Sequence, residues 1–243
     1  MHVYVDIEML LYKVMYRTLN NSLLDTDAQR LLSAVADIDA WVLTMQNHIT
    51  NKFTGDHSFY YAMSSKPYFR SILYPEYKAH RPPAPELLHL IKNAFESKYC
   101  TSIYKINGLE ADDVLSIMSR EHNYMPIIIS GDKDMKQIPG IHSNLDVQEF
   151  VCVTSKESKI TLARQILTGD STDNVPGLHG IGDVKAMKII NEALKANMPL
   201  WPAILAAYAL HGKSSKDAEL TAHLVYLLQE SPEERWTISM LSI

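Results

Sequence analysis

The chain has 243 residues, 47% of them apolar, with 23 Lys plus Arg against 28 Asp plus Glu. This suits one good-sized globular unit with a real hydrophobic core, or a core with a small appendage, and excludes global disorder. Cys100 and Cys152 form no CxxC pair and the ten histidines show no HExxH spacing, so neither a disulfide scaffold nor a zinc-ribbon site is supported and a reducing compartment fits.

In chain order, residues 3–6 read as a strand, 10–19 as a helix, and 27 to about 51 as a long helix with Asp27 at its N-cap. The N-terminus carries Asp6 and Glu8 where a signal peptide needs an apolar stretch, which predicts a soluble, cytoplasmic protein. Residues 57–63 form a second strand, and 67–85, rich in Tyr, Pro and Arg, are expected to be irregular at their end. Pro85 suits the first turn of a helix to about Lys98. A short strand near Ile103, a helix from about Ala111 to Glu121 and the apolar run Ile127-Ile128-Ile129 follow. Strands alternating with helices predict an α/β fold with a central, mainly parallel sheet flanked by helices. From about Lys159 the chain reads as helical, broken by a turn at 176–182, and the apolar stretch 200–210 is too short to span a bilayer, so no membrane partner is expected.

A net charge of −5 speaks at first against a nucleic-acid partner. The distribution matters more. Residues 70–105 hold six Lys or Arg against three Glu, whereas 108–134 hold Glu110, Asp112, Asp113, Glu121, Asp132 and Asp134 against Arg120 and Lys133. An acidic knot beside a basic segment is the layout of a metal site serving a polyanion.

Gly108-Leu109-Glu110-Ala111-Asp112-Asp113 opens a predicted helix, where carboxylates also complement the helix dipole. Ser130-Gly131-Asp132-Lys133-Asp134 ends a buried strand at its carboxyl edge, where open α/β sheets place their ligands, and Asp6 ends the first strand likewise. Two carboxylates about 5 Å apart repel by roughly 3 kcal/mol at an effective dielectric of 20, so such a cluster requires cations. Oxygen ligands without His or Cys select magnesium, manganese or calcium and suit two-metal phosphoryl transfer. Asp170 and Asp173 sit where a helix ends, at a spacing that rejects an EF-hand. The glycine hairpin Gly177-Leu178-His179-Gly180-Ile181-Gly182 then enters a helix bearing Lys185, Lys188 and Lys195, an arrangement that binds phosphates through backbone N–H groups.

Asp6, the segment Tyr74-Pro75-Glu76-Tyr77-Lys78-Ala79-His80-Arg81, the Glu110 and Asp132 motifs, Gly169-Asp170 with Asp173-Asn174, and the hairpin, in that order, resemble the flap endonuclease and 5′-3′ exonuclease family, particularly its phage enzymes and the 5′-nuclease domain of bacterial DNA polymerase I. The likeness runs from residue 3 to about 196. It implies a PIN-like nuclease core at 1–155, with a short arch at about 70–100, and a helical helix-hairpin-helix DNA-binding portion at 156–243. It implies a metal site of Asp6, Glu110, Asp112, Asp113, Asp132, Asp134, Asp170 and Asp173 holding two Mg2+, with Mn2+ as substitute, and K+ at the hairpin. Lys78 and Arg81 are the implied catalytic cations, and Arg70, Tyr77, Gly180, Gly182, Lys185 and Lys188 the implied DNA contacts. The implied substrate is DNA with a 5′ end, flap or single-strand to double-strand junction, with RNA–DNA hybrid as a second substrate and a monomer as the acting form, in a bacterial or phage-infected cytoplasm. Two rival readings are a structure-specific DNA-binding protein with attenuated catalysis and, far behind, a phosphatase of the DxD type. One departure stands out: the family carries an aspartate just after the second strand, where this chain has Met63 and Ser64, so that Glu8 or Asp56 must supply a carboxylate or the site lacks one.

Overall fold

The computed structural model of the protein describes residues 1–121, 125–230 and 236–241. Five parallel strands form the sheet: β1 (His2–Asp6), β2 (Ser58–Met63), β3 (Ile103–Lys105), β4 (Ile127–Ile129) and β5 (Gly140–Ser143). A sixth, β6 (Val151–Val153), adds antiparallel on β5, giving the order β3-β2-β1-β4-β5-β6. The helices are α1 (Ile7–Leu19), α2 (Asp27–Lys52), α3 (Phe69–Leu73), α4 (Glu86–Lys98), α5 (Ala111–Glu121), α6 (Ser155–Thr168), α7 (Asp183–Lys195), α8 (Leu200–Leu210) and α9 (Ser215–Val225).

Alternation of side chains along the strands divides the core in two. Val3, Val5, Tyr61, Met63, Ile127 and Ile129 face α1, α2 and α4. Tyr4, Ala62 and Ile128 face the other way, onto α5, and the same apolar cluster continues through α6, α7, α8 and α9. The C-terminal helices therefore share a core with the sheet, and the Ile127-Ile128-Ile129 strand is buried on both faces as expected of a central parallel strand.

The mainly parallel sheet matches the sequence expectation, with local differences. The first helix starts at Ile7, directly after Asp6. Thr26, not Asp27, caps α2, in a capping box with Gln29. Pro85 stands at the N-cap of α4 rather than inside its first turn. A short helix, α3, opens the 67–85 stretch, and its end, residues 74–85, is irregular as expected. Strands β5 and β6 were not predicted. Among the described residues no helix is long and apolar enough to cross a membrane.

Candidate active site

In a sheet whose strands run parallel, the carboxyl ends of β1 and β4 lie side by side, since Val5 pairs with Ile129. That register brings Asp6 and the 130–134 turn to one rim. Ser130 Oγ donates to Asp6 Oδ2 at 3.0 Å and accepts from the Asp132 backbone N–H at 3.0 Å. Asp132 caps the 3-10 helix Lys133–Gln137, its Oδ1 accepting from the Asp134 N–H at 2.8 Å. The start of α5 delivers Glu110 and Asp112 to the same place. Loop 170–175 supplies Asp170 and Asp173, and these carboxylates, with Asp6, Glu110, Asp112, Asp132 and Asp134, line one cleft of about 960 Å3 together with Glu8, Lys78, Arg81, Lys92 and Arg164.

Glycines position the loop. Gly169 terminates α6 at φ 65°, and a Cβ there would lie 2.4 Å from the Gly177 nitrogen and 2.5 Å from the Val175 oxygen. The close approach lets Asp170 and Val175 pair through both backbone bonds, at 3.0 and 2.7 Å, which holds Asp170 and Asp173 on the rim. The Lys78 backbone N–H donates to the Asp173 carbonyl at 2.9 Å, and Asn174 Nδ2 donates to the Glu76 carbonyl at 2.9 Å, so the Tyr-Lys-Ala-His-Arg segment docks on this loop. Lys78 itself adopts φ 55°, a conformation costly for a lysine and retained only where surrounding contacts enforce it.

Crowding of carboxylates shows in their acidities. Burial, then the charges of Glu8 and Asp132, raise Asp6 to about 6 despite the Ser130 hydrogen bond. Burial, then Asp132 and Asp170, raise Asp134 to about 6, and its Oδ1 is buried with no hydrogen-bond partner among the described residues. Asp112 is raised well above the usual carboxylate range by burial and by Asp6, Asp132 and Glu110. Glu110 behaves oppositely: burial would raise it, but Arg70 and Lys78 overcome burial and lower it. Among the described residues no three His, Cys, Asp or Glu side chains stand together as a ready-made cage for a metal ion. The donor chemistry nevertheless fits a hard divalent cation: all-oxygen ligands, mutually repelling, one of them with an orphaned buried oxygen.

Asp6, Asp112, Asp132, Asp134, Asp170, Glu110, Asp173, Lys78 and Arg81 thus converge. Lys78 Nζ pairs with Glu110 and lies 3.2 Å from Asp173 Oδ2, and Arg81 pairs with Asp173. Three expectations are corrected. Asp113 is fully buried, with both oxygens held by Arg70 at 2.6 and 2.8 Å, and so has no free oxygen turned to the cleft for a metal. Arg70 is 2% exposed and faces the interior, not DNA. Tyr77 is also buried, its hydroxyl donating to Glu110 Oε2 at 2.7 Å. Gly180 and Gly182 are exposed, with open space where a Cβ would be, and Lys188 is exposed on α7. Lys185 folds back, its Nζ donating to the Gly180 carbonyl at 2.8 Å.

Beyond β2, Met63 is buried in the core. Ser64 Oγ donates to Glu8 Oε2 at 2.7 Å, so the Glu8 carboxylate stands at the end of β2, where it also pairs with Lys92. Asp56 precedes β2 and lies at the opposite rim, so it fills no place in the cleft. Sequence reasoning missed Lys92 and Arg164. Arg164 sits inside α6 with no local motif to mark it, its NH1 2.6 Å from Asp183 Oδ1.

Among curated proteins the chain is 33% identical over 144 residues to the 5′-3′ exonuclease of Buchnera aphidicola, covering 53% of this chain and 50% of that protein. It is 31% identical over 139 residues to DNA polymerase I of Pseudomonas aeruginosa, covering 51% of this chain and 15% of that one. The chain therefore spans half the length of the first relative and far less of the second. Among solved structures, T5 5′-exonuclease with bound zinc ions superposes with a TM-score of 0.64 at 19% identity, over 93% of this chain and 89% of that one. The bacteriophage T5 D15 flap endonuclease in a complex with DNA and metal ions gives 0.63 at 19% identity, with the same coverage. At that identity the likeness is one of fold. The family defined as the 5′-3′ exonuclease N-terminal resolvase-like domain matches residues 1–165, the stretch that carries the sheet, the Tyr-Lys-Ala-His-Arg segment and both central acidic motifs. By that match the chain belongs to the 5′-3′ exonuclease family.

Proposed function

We propose that this protein is a divalent-metal-dependent, structure-specific 5′ nuclease. It would hydrolyse a DNA phosphodiester near a 5′ end, flap or single-strand to double-strand junction to leave a 5′-phosphate and a 3′-hydroxyl, in a bacterial or phage-infected cytoplasm. RNA paired to DNA is a second substrate in this reading. The observation that carries it is one cleft holding Asp6, Asp112, Asp132, Asp134 and Asp170 opposite Lys78 and Arg81. Those five carboxylates, with Glu110 and Asp173, would hold two Mg2+, or Mn2+ in their place. Bound there, the ions supply activation of water and stabilisation of the leaving 3′-oxygen.

The protein's own residues do the rest. Ser130 fixes the orientation of Asp6 through its 3.0 Å hydrogen bond. Lys78, whose ammonium stays charged because Glu110 and Asp173 outweigh its burial, offers positive charge to the phosphate as charge develops on its oxygens. Arg81, partly exposed at the cleft mouth, does the same from outside. The hairpin at Gly180 and Gly182, with Lys185 and Lys188, would grip duplex phosphates without reading bases, with K+ assisting there. The helical portion, 156–243, is the DNA-binding part in this reading.

The test is incubation of labelled flap, nicked and blunt duplexes with Mg2+ or Mn2+. Shortened product from the flap or the 5′ end supports the assignment. A shifted band of unchanged length in both metals would favour a binding protein with attenuated catalysis.

A further inference from the structure

Six charged side chains alternate in sign along one line into the cleft. Arg70 binds both oxygens of Asp113 and reaches Glu110 Oε2 at 3.0 Å. Glu110 pairs with Lys78, Lys78 with Asp173, and Asp173 with Arg81. Three anions meet three cations. Side-chain exposure rises along the line: 0% at Asp113, 3% at Arg70, 7% at Glu110, 16% at Lys78, 18% at Asp173 and 47% at Arg81.

The buried end is fastened to the C-terminal part of the chain. Arg70 Nε donates to the Leu224 carbonyl at 2.8 Å, and an Arg70 terminal N–H donates to the Tyr226 carbonyl at 2.6 Å. Asp113 Oδ1 also accepts from the Leu228 N–H at 3.1 Å. From another side Gln137 clamps the intervening residues of the same segment, donating to the Val225 carbonyl at 2.7 Å and accepting from the Leu227 N–H at 3.2 Å. All five guanidinium N–H groups of Arg70 are thereby used. Neutralising Asp113 needs only a bidentate pair. The extra bonds to Glu110 and to two carbonyls fix the guanidinium plane and, with it, one oxygen of Glu110. Charges this deep interact strongly, so a broken link is not absorbed locally, and the next charge must find another partner.

We propose that segment 224–228 is a working part of the active site. It orients Arg70, and Arg70, as a positioning residue, holds Glu110 so that the Lys78 ammonium and the Arg81 guanidinium stand at the cleft. This rests on reading the cleft as a nuclease site.

Arg70→Lys keeps the charge but cannot supply a planar five-donor fork, and Asp113→Asn keeps the shape while removing the terminal anion. Three quantities are read for each: single-turnover cleavage of a 5′-flap DNA in Mn2+, its Kd without divalent metal, and the 15N ammonium resonance of Lys78, identified by its absence in Lys78→Arg. The expected result is a rate about tenfold lower or less still, a Kd within about twofold, a retained circular dichroism spectrum, and loss of the Lys78 resonance to solvent exchange. Folded variants that keep both rate and resonance overturn the proposal, as does a rate that falls only in step with Kd. If Arg70→Lys does not fold, Asp113→Asn decides by the same readings. If the wild-type protein cuts no substrate, the nuclease reading fails, and the ammonium resonance, which needs no turnover, alone decides whether the line holds Lys78.

Discussion

Asp6 carries two opposite obligations that separate stability from function. Its carboxyl is raised to about 6 in the folded chain by burial and by neighbouring anions. A raised acidity constant means that the native state holds its proton more tightly than the unfolded state does. Without divalent metal, stability is then full below about pH 4 as far as this group is concerned, falls as pH rises through about 6, and stays reduced above. Asp134 adds to the trend with the same sign. Asp6→Asn should therefore raise the Tm in chelator at pH 7.5 by several degrees, for about 2 kcal/mol, while abolishing cleavage. A thermal melt in which this variant is less stable than wild type would contradict the crowding described for the cleft. Lys78→Ala and Arg81→Ala should lower the single-turnover rate by roughly 10²-fold, the scale of losing a transition-state charge partner. If only Kd moved, both would be DNA-positioning groups.

Among the elements, loop 170–175 and α7 are the ones whose conformation the site depends on. Gly169→Ala would drive a methyl into the Gly177 nitrogen and the Val175 oxygen at a positive φ, a clash with backbone that no rotamer change relieves. A loss of about 2–4 kcal/mol in urea unfolding is expected, together with weaker metal binding as Asp170 and Asp173 move. Wild-type stability in this variant would show that the loop can open without cost. On α7, Lys185→Ala with Lys188→Ala should weaken binding to all duplex sequences alike and reduce the log–log salt slope by up to about one unit per lost phosphate contact. An unchanged slope would remove α7 from the DNA interface. The elements themselves were unevenly legible in the sequence. Ile127-Ile128-Ile129 announces a central strand because nothing in it is polar. Strand β5 hides because it is short and buries His142 and Ser143, and β6 hides because two of its three residues, Val151 and Cys152, are exposed. The start of α1 was masked because the sequence signal is apolar spacing, and Glu8 interrupts it while facing the cleft.

Over the whole molecule, motif order identified most carboxylates of the cleft, because Asp6, Glu110, Asp112, Asp132 and Asp134 lie at strand ends or helix starts that a parallel sheet gathers at one rim, while Asp170 and Asp173 follow the end of α6 in a loop. It misplaced Arg70, Asp113 and Tyr77. A pattern of charges cannot tell a DNA-facing arginine from one whose partner lies 43 positions away in the interior. Glu8 needed the fold as well, since only the approach of α1 to Ser64 shows a carboxylate standing at the end of β2. If Glu8 serves the metals there, Glu8→Gln should raise the Mn2+ concentration for half-maximal rate, and Ser64→Asp should lower it. No change in either would mean that the pairing with Lys92 is Glu8's whole role. The nuclease assignment itself is tested most directly by one gel: a 5′-labelled flap duplex with Mg2+ or Mn2+, incubated with wild type and with Asp132→Asn in parallel. The account predicts a shortened labelled product with wild type, and with the variant a shifted band whose strand length is unchanged. Equal cleavage by both proteins, or intact strands with wild type in both metals, would contradict it.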